Sequence, residues 1–242
     1  VGSEMCIRDR YPAFRIPTVC IPASIDNNLP GSELSIGTDT ALNVIVEAMD
    51  KIKESGIASR RCFVVETMGR DCGYLALMSG IAAGAERIYT NEDGISLDDL
   101  ANDVHWLRES FAHGRRLFLA VRNENASHNY TTDFIARLLE EESHGMYDVR
   151  QVVLGHMQQG GSPSPFDRLL ANRLGYRALN LIDDELAAHQ DGSWFIGVNE
   201  SGMRPCSMDT MPSLIDAAHR RPREQWWLQL RTIARMVSDE VR

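Results

Sequence analysis

The sequence predicts an α/β fold built on mainly parallel sheets, and three observations predict it. Short, continuous apolar runs recur along the chain: Pro17 to Ile21, Arg61 to Glu66, Leu117 to Val121 and Gln151 to Leu154. Each is too short for a helix and too continuous for a strand with one wet face, which is the pattern of buried parallel strands. Helical periodicities alternate with these runs, as in successive βαβ units. Finally, polar, turn-forming or charged residues follow each run, at the carboxyl ends of strands where α/β enzymes bind their ligands.

The first run leads into Pro22 to Gly31, a turn-rich segment whose one carboxylate is Asp26. Asp39 to Lys53 carries Leu42, Ile45, Val46, Met49 and Ile52 at spacings of three and four, the mark of an amphipathic helix. The Arg61 run ends in Met68-Gly69-Arg70, and the small apolar stretch from Gly73 to Gly84 predicts a helix buried against the sheet. Ser96 before Leu97-Asp98-Asp99 is an N-cap with acidic residues in the first turn, and Thr131-Thr132-Asp133 starts a helix in the same way. The Leu117 run delivers Arg122-Asn123-Glu124, and the Gln151 run delivers His156 with Gln158-Gln159-Gly160-Gly161. Pro163 and Pro165 punctuate the entry to a helix from about Pro165 to Ala187; Trp194 to Val198 is a last short strand. Arg221-Pro222 is expected to start a terminal helix running through Val241, with Trp226-Trp227 as packing surface.

Composition narrows the functional classes. A hydrophobic share of 43% and a charged share of 24% over 242 residues are those of an ordinary globular chain. A formal net charge of -9 argues against non-specific nucleic-acid binding, which needs Lys and Arg to neutralise phosphates. No apolar stretch reaches membrane-spanning length and no secretory h-region is present, so no membrane partner and a cytoplasmic location are expected. The cysteines Cys6, Cys20, Cys62, Cys72 and Cys206 are odd in number and form no CxxC pair, which argues against a disulfide framework or a zinc site; Cys20 and Cys62 read as small core residues. His105, His113, His128 and His144 read as surface.

Through Ser24-Ile25-Asp26-Asn27, Ser35 to Leu42, Val65 to Tyr74, Leu154 to Pro163 and Pro165-Phe166-Asp167-Arg168, the chain resembles the phosphofructokinase family. The resemblance runs from about Ile16 to the C-terminus. It implies two three-layer α/β domains around a shared cleft, with residues 16–37 and 158–217 on the nucleotide side and 38–157 and 218–242 forming the sugar-phosphate domain. It further implies phosphoryl transfer from ATP, with Mg2+, to fructose 6-phosphate. Asp26 would then accept the proton of the sugar 1-hydroxyl, Ser24 would hydrogen-bond the incoming phosphoryl or the substrate, and Arg70 would stabilise transition-state charge. Glu124 and the backbone at Met68 and Gly69 would hold sugar hydroxyls. Arg61, Arg150 and His156 would bind the 6-phosphate, Arg61 and Arg150 being contributed by a neighbouring subunit of a tetramer-like homo-oligomer.

The departures from the family pattern are as informative. No Gly-rich phosphate loop precedes Asp26 and no magnesium-binding aspartate follows one, so the chain reads as the C-terminal portion of a longer protein without its N-terminal nucleotide part. Residues 1–10 do not match and read as a non-native leader. Ala23 stands where pyrophosphate-dependent relatives carry a lysine, which favours ATP as donor. Asn28 replaces a second acidic residue and Gln159 an arginine. With Tyr130-Thr131-Thr132 they resemble the half of duplicated eukaryote-type enzymes that binds the regulator fructose 2,6-bisphosphate. In that half the position of Asp26 is no longer acidic, so its presence keeps catalysis open.

Overall fold

The computed structural model describes residues 10–11, 15–56 and 59–239; residues 1–9, and with them most of the expected leader, lie outside the described residues. In chain order the elements are β1 (Thr18–Cys20), α1 (Thr38–Gly56), β2 (Arg61–Thr67), α2 (Tyr74–Ala83), β3 (Arg87–Tyr89), α3 (Leu97–Ala112), β4 (Leu117–Asn123) and α4 (Thr132–Glu142). They continue with β5 (Asp148–Val153), α5 (Pro165–Ala187), β6 (Ser193–Asn199), β7 (Gly202–Ser207), α6 (Met211–Leu214), β8 (Ile215–Asp216), β9 (Arg221–Pro222) and α7 (Arg231–Asp239). Two compact units divide these residues. One takes the chain up to Ser24, Leu29–Thr38 and Pro163–Gln225; the other takes Ile25–Asn28, Asp39–Ser162 and the chain from Trp226. The expected division at 37/38 and 157/158 differs from this grouping at its joints and in the placing of Ile25–Asn28 and of residues 218–225.

The larger unit is built on a four-stranded sheet of order β3-β4-β2-β5, parallel throughout. Its centre is the product of two uninterrupted apolar strands. Cys62 to Val65 on β2 and Phe118 to Val121 on β4 are buried on both faces, as parallel strands covered by helices must be. Leu100, Leu107 and Phe111 of α3 and Ile135 and Leu139 of α4 complete one core cluster with Tyr147 and Val149, and the Phe111 and Tyr147 rings stack with centroids 4.4 Å apart. The short β3 was not legible in the sequence, because three residues, Arg-Ile-Tyr, carry no period.

Helix ends follow the sequence signals closely. Ser96 caps α3 as one side of a capping box: its hydroxyl accepts from the Asp99 N–H at 3.1 Å, and the Asp99 carboxylate accepts from the Ser96 N–H at 2.9 Å. Thr131 caps α4 through the Phe134 N–H, and Ser164 caps α5, which spans the residues expected of it. Ser96→Ala is expected to cost about 1 kcal/mol, read as a lower denaturant midpoint with unchanged cooperativity.

Two expectations are corrected. β5 is not a buried strand; it is the edge of its sheet, with Val153 60% exposed and Arg150 and Gln151 facing solvent. Nor do Arg221 and Pro222 begin a helix. They form β9, antiparallel to β8. The Asp216 carboxylate accepts from the Ala218 N–H and pairs with His219 Nδ1, closing a tight turn, and Arg220 sits at φ 52°. That hairpin takes the backbone bonds a helix would have used, and helix α7 starts only at Arg231. Trp227 packs as expected, 1% exposed and edge-on to Tyr74.

The smaller unit holds a sheet of order β1-β6-β7, with β1 parallel to β6 and β7 antiparallel to it. Leu170, Leu174 and Leu181 of α5 pack with Ile196 of β6. Pro205 on β7 masked that strand in the sequence; an edge strand tolerates the missing N–H. Cys62 is fully buried in its own unit, whereas Cys20 on β1 is only partly buried.

Candidate functional site

Parallel pairing brings the strand ends that carry the candidate residues together. Thr67, the last residue of β2, is level with Asn123, the last of β4, and Glu66 is level with Val153 of β5. Met68-Gly69-Arg70, Glu124 and the turn beginning at Leu154 therefore leave the sheet side by side at its carboxyl edge.

Hydrogen bonds lock this edge. The Glu124 carboxylate accepts from the Gly69 N–H at 3.1 Å and the Arg70 N–H at 2.7 Å. Gln158, buried in the turn Gly155–Gln159, accepts from the Met68 N–H at 3.2 Å and donates to the Gly155 carbonyl at 2.9 Å. Asn123 reaches the Met68 and Cys72 carbonyls through its amide nitrogen, and its buried Oδ1 has no partner among the described residues. Gly69 lies at φ 132° and Arg70 at φ 51°. A non-glycine residue held in that region costs on the order of 1–3 kcal/mol and persists where its surroundings over-determine it.

Asp26 belongs to the same unit. Its carboxylate is nearly buried, with a side-chain exposure of 13%, and lies 3.8 Å from Nε of Arg70, whose side chain is 72% exposed. The carbonyl oxygen of Asn27, a residue at φ 52°, is approached by Cys72 Sγ at 3.9 Å. Burial pushes the Asp26 carboxyl above its usual range; Arg70 opposes the shift and the Glu124 charge adds to it. A carboxylate of raised proton affinity beside a solvated cation is suited to accept a proton and then release it.

The sequence-predicted residues thus divide. Asp26, Arg70, Gly69 and Glu124 are joined by direct contacts, and Met68 is held next to them by Gln158 and Asn123. His156 and Gln159 lie exposed on the turn that Gln158 ties to Met68. Arg61 stands at the amino end of β2, about 20 Å from Thr67 at the rise of a strand, where its guanidinium donates to the Ser55 carbonyl at 3.3 Å. Arg150 lies on the exposed edge, level with Phe63 and 3.7 Å from Asp148. Ser24 belongs to the smaller unit: its N–H donates to the Ile36 carbonyl at 3.1 Å and its carbonyl accepts from Thr38 Oγ1 at 2.8 Å.

Sequence reasoning gave no role to Gln158, Asn123 or Arg122. Arg122 is 1% exposed and pairs with Glu66 at 2.8 Å; burial lowers its guanidinium pKa, opposed by Glu66 and Glu124. A charged residue directly after a continuous apolar run was the signal available. Among the described residues no three carboxylates, imidazoles or thiols converge into a metal-holding group. No helix among the described residues is long and apolar enough to cross a membrane.

Residues 3–182 match the family model described as phosphofructokinase. The chain is 42% identical over 241 residues to the platelet-type ATP-dependent 6-phosphofructokinase of Rattus norvegicus and 43% identical over 242 residues to the muscle-type enzyme of Homo sapiens; each match covers 96% of this chain and 31% of the relative. Among solved structures, phosphofructokinase from Saccharomyces cerevisiae superposes with a TM-score of 0.93 at 35% identity, covering 99% of this chain and 33% of that one. The T-state Pichia pastoris enzyme superposes at 0.89 and 34% identity, covering 100% of this chain and 29% of that one. The chain spans about a third of the length of these relatives, and it belongs to the phosphofructokinase family.

Proposed function

We propose that this chain is the C-terminal part of an ATP-dependent 6-phosphofructokinase of glycolysis, and that its larger unit holds the sugar phosphate. The supporting observation is the buried Asp26 carboxylate beside Arg70, on a loop held by Glu124. Asp26 takes the proton of the fructose 6-phosphate 1-hydroxyl as that oxygen attacks the γ-phosphoryl group of ATP, and Arg70 offsets charge on the group in transit. Ser24 contacts the phosphoryl group or the sugar. Glu124, Met68 and Gly69 orient sugar hydroxyls, and His156 with Gln159 faces the 6-phosphate. Arg61 and Arg150, remote from this edge within one chain, serve a neighbouring subunit of a homo-oligomer. The smaller unit forms part of the nucleotide side, the full-length protein supplies the phosphate loop and Mg2+ ligands, and the enzyme works in the cytoplasm. A coupled assay tests this: the full-length protein turns over fructose 6-phosphate with ATP and the 242-residue chain alone does not. Turnover by the chain alone, or none by the full-length protein, contradicts it.

One observation favours a second reading, in which this half is a regulatory site for fructose 2,6-bisphosphate. Gln159 is exposed and neutral, and an amide lacks the charge assistance that makes Arg-phosphate bonds roughly twice as strong. Gln159→Arg in the full-length protein is expected to lower the KM for fructose 6-phosphate several-fold, by about 1 kcal/mol. A shift in the half-activating concentration of fructose 2,6-bisphosphate instead selects the regulatory reading.

A further inference from the structure

We propose that Arg122 is a positioning residue for this site: from inside the sheet it fixes the backbone of Glu124, and so sets how tightly the Met68-Gly69-Arg70 loop grips a sugar phosphate. The inference rests on the reading of Glu124 and that loop as the sugar-phosphate contact.

The geometry is unusually complete for one side chain. Arg122 Nε donates to the Tyr130 carbonyl at 3.2 Å, and one terminal nitrogen donates to the Ser127 carbonyl at 2.6 Å. The other terminal nitrogen reaches the Glu124 carbonyl at 3.0 Å, the Glu66 carboxylate at 2.8 Å and Thr132 Oγ1 at 3.4 Å. Thr132 in turn donates to Glu66. A single guanidinium therefore spans the neighbouring strand β2, the loop from Glu124 to Tyr130 and the first residue of α4. Only Arg offers five N–H donors in a rigid plane; the three donors of Lys radiate from one point and cannot reach this set of acceptors.

The consequence for the site follows from what Glu124 does with its two ends. Its carbonyl is held by Arg122 while its carboxylate holds the Gly69 and Arg70 N–H groups. Loosening the carbonyl lets the carboxylate drift and relaxes a loop whose Arg70 sits at φ 51°. Arg122 is buried and is given no contact with ligand; it acts through Glu124. Glu66 balances its charge. With Glu66 neutralised, the guanidinium turns toward the remaining nearby carboxylate, Glu124, and competes with the loop for it.

The test uses the full-length protein with Arg122→Lys, the near-isosteric Glu66→Gln, and Glu124→Gln as reference. Two readouts are followed, the KM for fructose 6-phosphate and the half-activating concentration of fructose 2,6-bisphosphate; whichever responds to Glu124→Gln is the reporter. Arg122→Lys is expected to weaken that reporter about tenfold, the size usual for coupling within one network, and Glu66→Gln several-fold, with the KM for ATP unchanged. Adding Glu124→Gln to Arg122→Lys should weaken it little further. Should Arg122→Lys fail to fold, Glu66→Gln carries the same test. A folded Arg122→Lys or Glu66→Gln protein with an unmoved reporter, while Glu124→Gln does move it, overturns the positioning role and leaves the sugar-phosphate reading standing. The positioning role fails equally if neither readout moves in these variants and kcat merely tracks the folded fraction. Silence of Glu124→Gln in both readouts overturns the reading itself and the proposal with it.

Discussion

Asp26→Asn in the full-length protein is expected to lower kcat by about 10²-fold or more, the usual contribution of a positioned proton acceptor, while the KM for ATP changes little. The amide keeps the size of the carboxylate and removes its basicity, so a loss confined to kcat identifies proton transfer rather than packing. Unchanged turnover would show that the site is regulatory or that another group accepts the proton. The pH profile gives an independent check. Burial raises the Asp26 pKa, Arg70 lowers it and Glu124 raises it further. A base works when deprotonated, so activity should fall on the acid side through a pKa above the ordinary carboxylate value of about 4. Removing the Glu124 charge with Glu124→Gln should move that limb to lower pH. Removing the cation with Arg70→Met should move it to higher pH. The Arg70 effect should shrink in high salt, because that side chain is 72% exposed and the pair lies 3.8 Å apart. A limb that stays in place in both variants would mean that another group titrates.

Much of this arrangement was legible in the sequence because it depends on short-range signals. The central strands are continuous apolar runs, the helix starts carry Ser96 and Thr131 or, for α5, the punctuating Pro163 and Pro165, and the candidate residues follow strand ends, where parallel pairing must gather them. What could not be read depends mostly on partners remote in sequence. The edge position of β5 is decided by which strands pair, so its valines look the same as buried ones. The β8 and β9 hairpin wins over a helix through Asp216 and the turn at Arg220, a local preference that a helical period in the residues beyond concealed. Gln158 and Arg122 matter through bonds to Met68, Glu66 and Glu124, at sequence separations of 90, 56 and 2 residues. No spacing rule picks out the two long-range ones. The loop strain at Arg70 and Asn27 was equally invisible, since both residue types occur freely in ordinary turns.

Gly69→Ala should be the most damaging small substitution in the site. A Cβ at Gly69 would stand 2.4 Å from the Cys72 carbonyl oxygen and 2.9 Å from Asn123 Nδ2, on a backbone at φ 132°. The Cys72 oxygen cannot yield easily, because the Cys72 N–H closes the turn onto the Gly69 carbonyl at 2.9 Å and the oxygen itself accepts from Asn123. The chain must instead carry Gly69 away from Glu124, breaking the paired N–H bonds that hold the loop. Backbone strain of about 1–3 kcal/mol adds to the loss of two charge-assisted bonds, each worth about 1.5–3 kcal/mol. Partial relaxation leaves an expected destabilisation of about 3 kcal/mol, with sugar-phosphate affinity weakened by more than about tenfold. Gly84→Ala is the control. Gly84 also has positive φ, at 69°, but a Cβ there meets nothing within 4 Å, so it should cost only the conformational penalty of about 1–2 kcal/mol and leave ligand affinity unchanged. Denaturant unfolding and sugar-phosphate titration of the two variants separate the effects. Equal costs at both glycines, with affinity retained at Gly69, would show that the turn at Cys72 accommodates a methyl group and that Glu124 does not depend on a fixed Gly69 backbone.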